Sequence, residues 1–202
     1  MSNYFITGIG TNIGKTLVSA ILTEALEADY WKPIQAGDLG NSDSLKVKNL
    51  ITNTKSKIHP ETYRLNNAMS PHAAAKLDNI TIDLDKIYLP KTKNNLIIEG
   101  AGGLMVPLNE HELVIDLIKR LNVEVILVSQ NYLGSINHSL LSLETLKVRK
   151  LKIKGIIFNG KPNLETENYI LNYSGVKCIG RIDEHKTINK ELVLSYKNTF
   201  NF

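Results

Sequence analysis

The stretch Thr7-Gly8-Ile9-Gly10-Thr11-Asn12-Ile13-Gly14-Lys15-Thr16 follows an apolar run, Tyr4-Phe5-Ile6, and opens onto Leu17-Val18-Ser19-Ala20-Ile21-Leu22. The first run reads as a strand, and the spacing of the second predicts a helix reaching about Glu27. Few folds accept a glycine-rich turn with Gly-Lys-Thr between a strand and a helix. Glycines let successive N–H groups turn inward around phosphate oxygens, and the helix N-terminus adds partial positive charge. A ligand-free turn is the bland alternative, but Gly-Lys-Thr in this setting favours a nucleotide site. Gly10, Thr11, Asn12, Ile13, Gly14, Lys15, Thr16 and Leu17 are therefore expected around a phosphate chain. Lys15 would reach its β- and γ-phosphates, and the Thr16 hydroxyl would hold Mg²⁺. Five residues separate Gly8 from Gly14, one more than the general pattern has.

Strand and helix signals alternate along the chain, which predicts an α/β fold. The expectation is a single doubly wound domain over residues 1–202, its sheet mainly parallel with helices on both faces. Strands are expected at Tyr30–Ile34, Leu96–Ile98, Val125–Val128, Ile153–Asn159 and Val176–Ile179, with a minor one at Glu61–Leu65. Helices are expected at Ser44–Ile51, Ser70–Leu77, Ile82–Leu89, Leu113–Leu121, Ile136–Val148, Glu165–Tyr173 and Lys190–Tyr196. Gln35–Ser42 and Ser129–Gly134 read as loops, and Glu99-Gly100-Ala101-Gly102-Gly103 as a second glycine-rich turn.

The 202 residues, 43% hydrophobic and 22% charged, suffice for a buried core. No apolar run approaches the roughly 18 residues of a membrane span, and no basic segment precedes the first apolar one. No membrane association is expected. Cys178, the single cysteine, cannot form an internal disulfide. It reads as a buried small hydrophobe in a cytoplasmic protein. The net charge of +4 and pI near 9.0 invite a nucleic-acid reading, which the details weaken. The basic residues are nearly all lysine, and the dense run Lys147–Lys154 fits a solvated helix end. No nucleic-acid partner is expected.

Ligands of doubly wound sheets sit at the carboxyl ends of the strands. The phosphate loop, Lys32, Glu99, Ser129 and Asn159 all fall at such ends. A phosphoryl-transfer site also needs carboxylates for its metal. Taken singly, Asp43 reads as a helix cap and Glu99 as a cap of the following turn. Beside Gly-Lys-Thr, both are favoured as metal ligands together with Thr16. Lys32, otherwise a surface lysine, is placed to stabilise an anionic reacting group.

The set resembles the dethiobiotin synthetase family of phosphate-loop NTPases. The matching segments are Gly8-x5-Gly14-Lys15-Thr16, Lys32-Pro33-Ile34-Gln35-Ala36-Gly37, Asn41-Ser42-Asp43 and Ser70-Pro71-His72. Further along come Glu99-Gly100-Ala101-Gly102-Gly103, Leu133-Gly134-Ser135-Ile136-Asn137-His138 and Asn159. The five-residue spacing is this family's own. The resemblance implies ATP- and Mg²⁺-dependent ring closure of 7,8-diaminononanoate with CO₂ (supplied as bicarbonate), through a carbamate and a carbamic–phosphoric anhydride. It assigns Lys15, Lys32 and Thr11 to catalysis, Thr16, Asp43 and Glu99 to the metal, and Asn159 to the adenine edge. It places substrate against Lys32, Ala36, Pro71, Gly102, Gly103, Leu133 and Asn137. It also implies a homodimer, with Leu133–His138 meeting the substrate tail of the partner subunit.

Three positions depart from the family's pattern. Ala36 stands where Ser or Thr often contacts substrate, Asn12 replaces a frequent acidic residue, and Arg181-Ile182-Asp183 replaces a segment with a Pro near the base. Partitioning and septum-positioning ATPases share the expected fold. Their extra loop lysine, however, corresponds here to Ile9.

Overall fold

A computed structural model describes all 202 residues, Met1–Phe202. Strand β1 (Asn3–Gly8) leads into helix α1 (Lys15–Ala25). Next come β2 (Asp29–Trp31), β3 (Ile34–Ala36), α2 (Asp43–Leu50), β4 (Ile58–His59), β5 (Tyr63–Leu65) and α3 (Pro71–Leu77). The rest is β6 (Leu96–Gly103), α4 (Val114–Leu121), β7 (Glu124–Gln130), α5 (Ser135–Val148), β8 (Ile153–Asn159), α6 (Leu164–Ser174), β9 (Cys178–Ile182) and α7 (Lys190–Ser195).

Seven strands form one sheet in the order β4-β2-β6-β1-β7-β8-β9, and every ladder in it is parallel. β3 and β5 pair in a small second sheet. The chain winds from β1 out to β4, returns at β6 and continues to β9 on the other side. Both neighbours of β1 thus come late in the sequence, and the phosphate loop emerges where the winding reverses.

Central strands buried on both faces are continuous apolar runs, as Leu96-Ile97-Ile98 and Val125-Ile126-Leu127-Val128 are. Their alternate side chains serve two cores. Phe5, Ile98 and Val125 pack towards α3 and α4, while Leu127, Ile156 and Phe158 on the same face meet α5 and α6. Tyr4, Ile6, Tyr30 and Ile97 pack on the opposite face, against α1, α2 and α7. Each such fully buried side chain contributes roughly 1.5–3 kcal/mol. Helices cover both faces of the sheet, as the alternating signals predict.

Several expectations need correction. Tyr30–Ile34 is two strands, because Pro33 cannot donate to a ladder. Its carbonyl instead accepts from Thr62 N and Tyr63 N at 2.9 and 3.0 Å, which sends β3 into the second sheet. Ile82–Leu89 holds a single 3₁₀ turn, Leu84–Lys86. Ile82, Leu84 and Ile87 all reach one core from an otherwise extended segment. The segment is held there by the Tyr63 hydroxyl, which accepts from Asp83 N at 3.0 Å. β6 runs on through Glu99–Gly103, expected as a turn: Glu99 pairs with Ile6 and Gly103 with Gly8, and the register slips between them. A Cβ at Gly103 would stand 3.0 Å from the Gly8 carbonyl oxygen, so a side chain there would be tight against the paired strand.

Helix α1 stops at Ala25, before Glu27, whose φ of 47° is left-handed. Cys178 is exposed. It begins the edge strand β9, whose Ile179 and Ile182 take the inward positions. No helix is long and apolar enough to cross a membrane.

Candidate functional site

The sheet register assembles the site. β2 runs beside β6 with Tyr30 opposite Ile97 and Trp31 opposite Ile98, so the next residues, Lys32 and Glu99, come level. Side chains two apart along a strand share a face. Tyr30, Lys32, Ile97 and Glu99 accordingly all face α1, whose first turn carries Lys15 and Thr16.

At the centre is Glu99, only 1% exposed. Its Oε1 accepts from Thr16 Oγ1 at 2.9 Å and from Lys32 Nζ at 3.2 Å, and its Oε2 accepts from the Tyr30 hydroxyl at 2.9 Å. Lys32 Nζ also donates to Asp43 Oδ2 at 2.5 Å and so bridges the two carboxylates. Burial works against the Lys32 ammonium, but Glu99 and Asp43 more than reverse it and hold its pKa above the ordinary lysine value. Asp43 lies below the ordinary aspartate value: burial opposes the shift, and Lys32 and then Lys46 drive it. Burial, reinforced by the Glu99 charge, raises the Tyr30 phenol well above its usual pKa.

Asp43 is the first residue of α2 rather than its cap. Ser42 is the cap, its hydroxyl accepting from Leu45 N at 3.4 Å. Gln35 Oε1 accepts from Asp43 N at 3.2 Å, while its amide donates to the Gly37 carbonyl at 2.8 Å. Lys46 reaches back to Asp43 Oδ1 at 3.4 Å and to Asp38 at 2.9 Å. Tyr30 and Lys46 escaped the sequence reading, and Gln35, inside a matching segment, was given no role by it. The one available signal was the two-residue spacing that puts Tyr30 on the same strand face as Lys32.

Lys15 is buried, its Nζ donating to the Gly10 carbonyl across the phosphate loop at 2.7 Å. Burial pulls its pKa down to about 8, with Glu99 opposing and Lys32 adding to the fall. Thr11 and Asn12 are exposed at the loop's tip, Ile13 packs into the core below it, and Leu17 is buried in the first turn of α1. Gly14, the N-cap of α1, has φ +92°, and a Cβ there would come within 2.2 Å of Asn159 Nδ2. Only glycine meets both demands. The Asn159 amide, at the end of β8, donates to the Ile13 carbonyl at 2.9 Å. Beside it, Arg181 donates to the Gly160 carbonyl at 2.8 Å and pairs with Glu167 at 3.2 Å. Ser129 is spent on a buried hydrogen bond with Ser139 at 2.9 Å.

A cleft of about 390 Å³ lies beside the loop, lined among others by Gly10, Thr11, Gly103, Met105, His138 and Leu141. Gly102 lies next to Thr11 at its edge. Ala36 is half-buried in β3, and Pro71 is buried at the first position of α3, which Ser70 opens without a side-chain cap bond. Leu133 and Asn137 are exposed and do not line the cleft, although His138 of the same segment does. The structure thus brings Lys15, Thr16, Lys32, Asp43 and Glu99 together, with Thr11, Gly102 and Gly103 beside them. Leu133 and Asn137 point to solvent.

Asp43, Glu99 and Thr16 form an all-oxygen donor set beside a phosphate loop. That fits Mg²⁺, which takes one or two carboxylates and fills its remaining positions with phosphate oxygens and water.

The AAA domain family matches the chain over residues 2–191. The ATP-dependent dethiobiotin synthetase BioD of Christiangramia forsetii is 54% identical over 198 residues, covering 98% of this chain and 95% of the relative. That of Cytophaga hutchinsonii is 53% identical over 197 residues, covering 97% and 95%. Among solved structures, the cell division ATPase MinD of Pyrococcus furiosus superposes with a TM-score of 0.61 over 96% of this chain and 88% of that one. At 17% identity it speaks for the fold alone. Both relatives are about half identical to this chain over nearly their whole length, and the chain belongs to the ATP-dependent dethiobiotin synthetases, ligases of biotin biosynthesis.

Proposed function

We propose that this chain closes the ureido ring of dethiobiotin from 7,8-diaminononanoate, CO₂ and ATP, the 202 residues acting as one domain. The observation that carries the reading is Lys32, held between Asp43 and Glu99 at the mouth of the phosphate loop. A carbamate attacking a phosphate brings two anions together, and a fixed cation between them lowers that barrier.

One substrate amine adds to CO₂ and loses a proton, giving the carbamate. Thr11 and Lys32 orient this anion. Its oxygen attacks the γ-phosphorus of ATP as the bond to the β-phosphate oxygen breaks, and ADP leaves. Lys15 neutralises charge on the transferring group, while the N–H groups from Asn12 to Thr16 cradle the phosphates. The second amine then attacks the carbonyl carbon of the mixed anhydride, phosphate departs, and the ring closes with loss of a proton. Thr16, Asp43 and Glu99 would hold Mg²⁺, which when bound neutralises charge on the phosphates. Asn159 and its neighbours at the ends of β8 and β9 would receive the base. The exposed Leu133, Tyr132 and Leu141 support a homodimer in which Leu133–His138 reaches the neighbouring subunit's substrate. The same reading places the enzyme in the cytoplasm.

The test is phosphate release from ATP with Mg²⁺ and 7,8-diaminononanoate, with bicarbonate present and then rigorously removed. Release that needs both diamine and bicarbonate is expected. Release indifferent to the diamine would discard the substrate assignment.

A further inference from the structure

Glu99 receives three donors divided unevenly between its oxygens. Thr16 and Lys32 share Oε1, on the side of the phosphate loop, and the Tyr30 hydroxyl alone occupies Oε2. Tyr30 itself has no solvent exposure. Its ring packs with Ile6 and Ile97 in the core beneath α1, and the β2–β6 register fixes its height beside Glu99.

A buried tyrosine usually finds some partner for its hydroxyl. This one donates to a carboxylate that faces the phosphate loop, from the side opposite that loop. The terminal torsion of a glutamate is broad and roughly two-fold. Without an anchor on Oε2, the plane of the carboxylate would be set only by Thr16 and Lys32, two groups that the reaction itself engages.

Resting on the reading of Glu99 as a metal ligand, we propose that Tyr30 is a positioning residue that locks the Glu99 carboxylate plane and so presents Oε1 to the metal of the nucleotide complex. Partners of this kind, one bond removed from the metal, typically contribute about 10- to 100-fold in metal affinity. Tyr30 touches no substrate and acts only through Glu99.

The test compares ADP binding by titration calorimetry in Mg²⁺ and in EDTA, for the unaltered chain and for Tyr30→Phe, which removes only the hydroxyl. The gain in ADP affinity on adding Mg²⁺ is expected to shrink about tenfold in Tyr30→Phe, with affinity in EDTA unchanged. An undiminished gain, with a lowered melting temperature alone, would show Tyr30 to be a core residue and overturn the proposal. Absence of any gain in the unaltered chain would overturn the metal-ligand reading itself, a separate failure. Should Tyr30→Phe not fold, 3-fluorotyrosine placed at position 30 keeps the hydroxyl and reports by ¹⁹F resonance. Its signal should shift when Mg²⁺ joins the ADP complex, and an unmoved signal overturns the proposal.

Discussion

The Asn159 side chain donates to the Ile13 carbonyl 2.9 Å away, joining the tip of β8 to the phosphate loop across 146 residues of sequence. The same amide stands where a side chain on Gly14 would have to go. A brace on the loop and a demand for glycine are thus one contact seen from its two ends.

That contact predicts coupling. Asn159→Ala should weaken nucleotide binding about fivefold, the worth of one hydrogen bond of about 1 kcal/mol. Gly14→Ala should cost more, because it adds a left-handed penalty of about 1–2 kcal/mol to the clash. In the Asn159→Ala background the clash is gone and only the backbone penalty remains. Thermal denaturation of the two single variants and the double variant checks this. Additivity within about 0.5 kcal/mol would mean that the residues do not compete for space.

Lys15 predicts a proton linkage. Its amine titrates at about 8 in the free chain, chiefly through burial, and a phosphate chain against it would restore the charged form. Nucleotide binding should therefore take up a proton above pH 8, and affinity should fall as pH rises further. Calorimetry at pH 8.5 in buffers of different ionisation enthalpy reads the uptake, which should vanish at pH 7. Lys15→Ala should remove it and abolish turnover. Turnover close to that of the parent would overturn the loop's assignment.

The phosphate loop was legible because Gly-Lys-Thr between a strand and a helix is a local pattern, and the central strands because burial on both faces writes continuous apolar runs. The contacts around Glu99 were not legible, since the β2–β6 register that makes Tyr30 and Lys32 its neighbours is set by pairing between segments far apart in sequence. Local signals misled where tertiary contacts prevailed. Ile82–Leu89 has helical spacing, yet Tyr63 and the core beneath hold it extended. Cys178 sits among apolar residues yet is exposed, because it opens an edge strand whose buried positions are Ile179 and Ile182. Leu133 and Asn137 project from the segment predicted to meet substrate, and one chain gives them nothing to meet.

Glu99→Gln replaces one acceptor oxygen by an N–H₂ group among three donors. One of Thr16, Lys32 or Tyr30 must lose its partner in a site only 1% exposed, at a cost of about 1–3 kcal/mol. The metal concentration for half-maximal turnover should rise at least about tenfold. An unchanged Mg²⁺ titration alongside a lower melting temperature would make Glu99 a structural residue.

Lys32→Met separates reaction from scaffold. The ammonium joins two carboxylates while itself 5% exposed, so its removal leaves Glu99 without a counter-ion and Asp43 with only Lys46 at 3.4 Å, at about 3–5 kcal/mol. Lys32 has its folded pKa raised above 10.5, so its stabilisation is complete below that value and lost as pH rises through the folded pKa. The stability gap between parent and variant should hold steady across neutral pH and narrow only in strong alkali. Two carboxylates without the ammonium between them should also attract a cation, so Mg²⁺ should raise the variant's melting temperature more than the parent's. If Lys32 orients the carbamate, turnover should fall far more than ATP affinity does, as seen by comparing phosphate release with calorimetry. Equal losses of both would confine Lys32 to holding Asp43 and Glu99 in place.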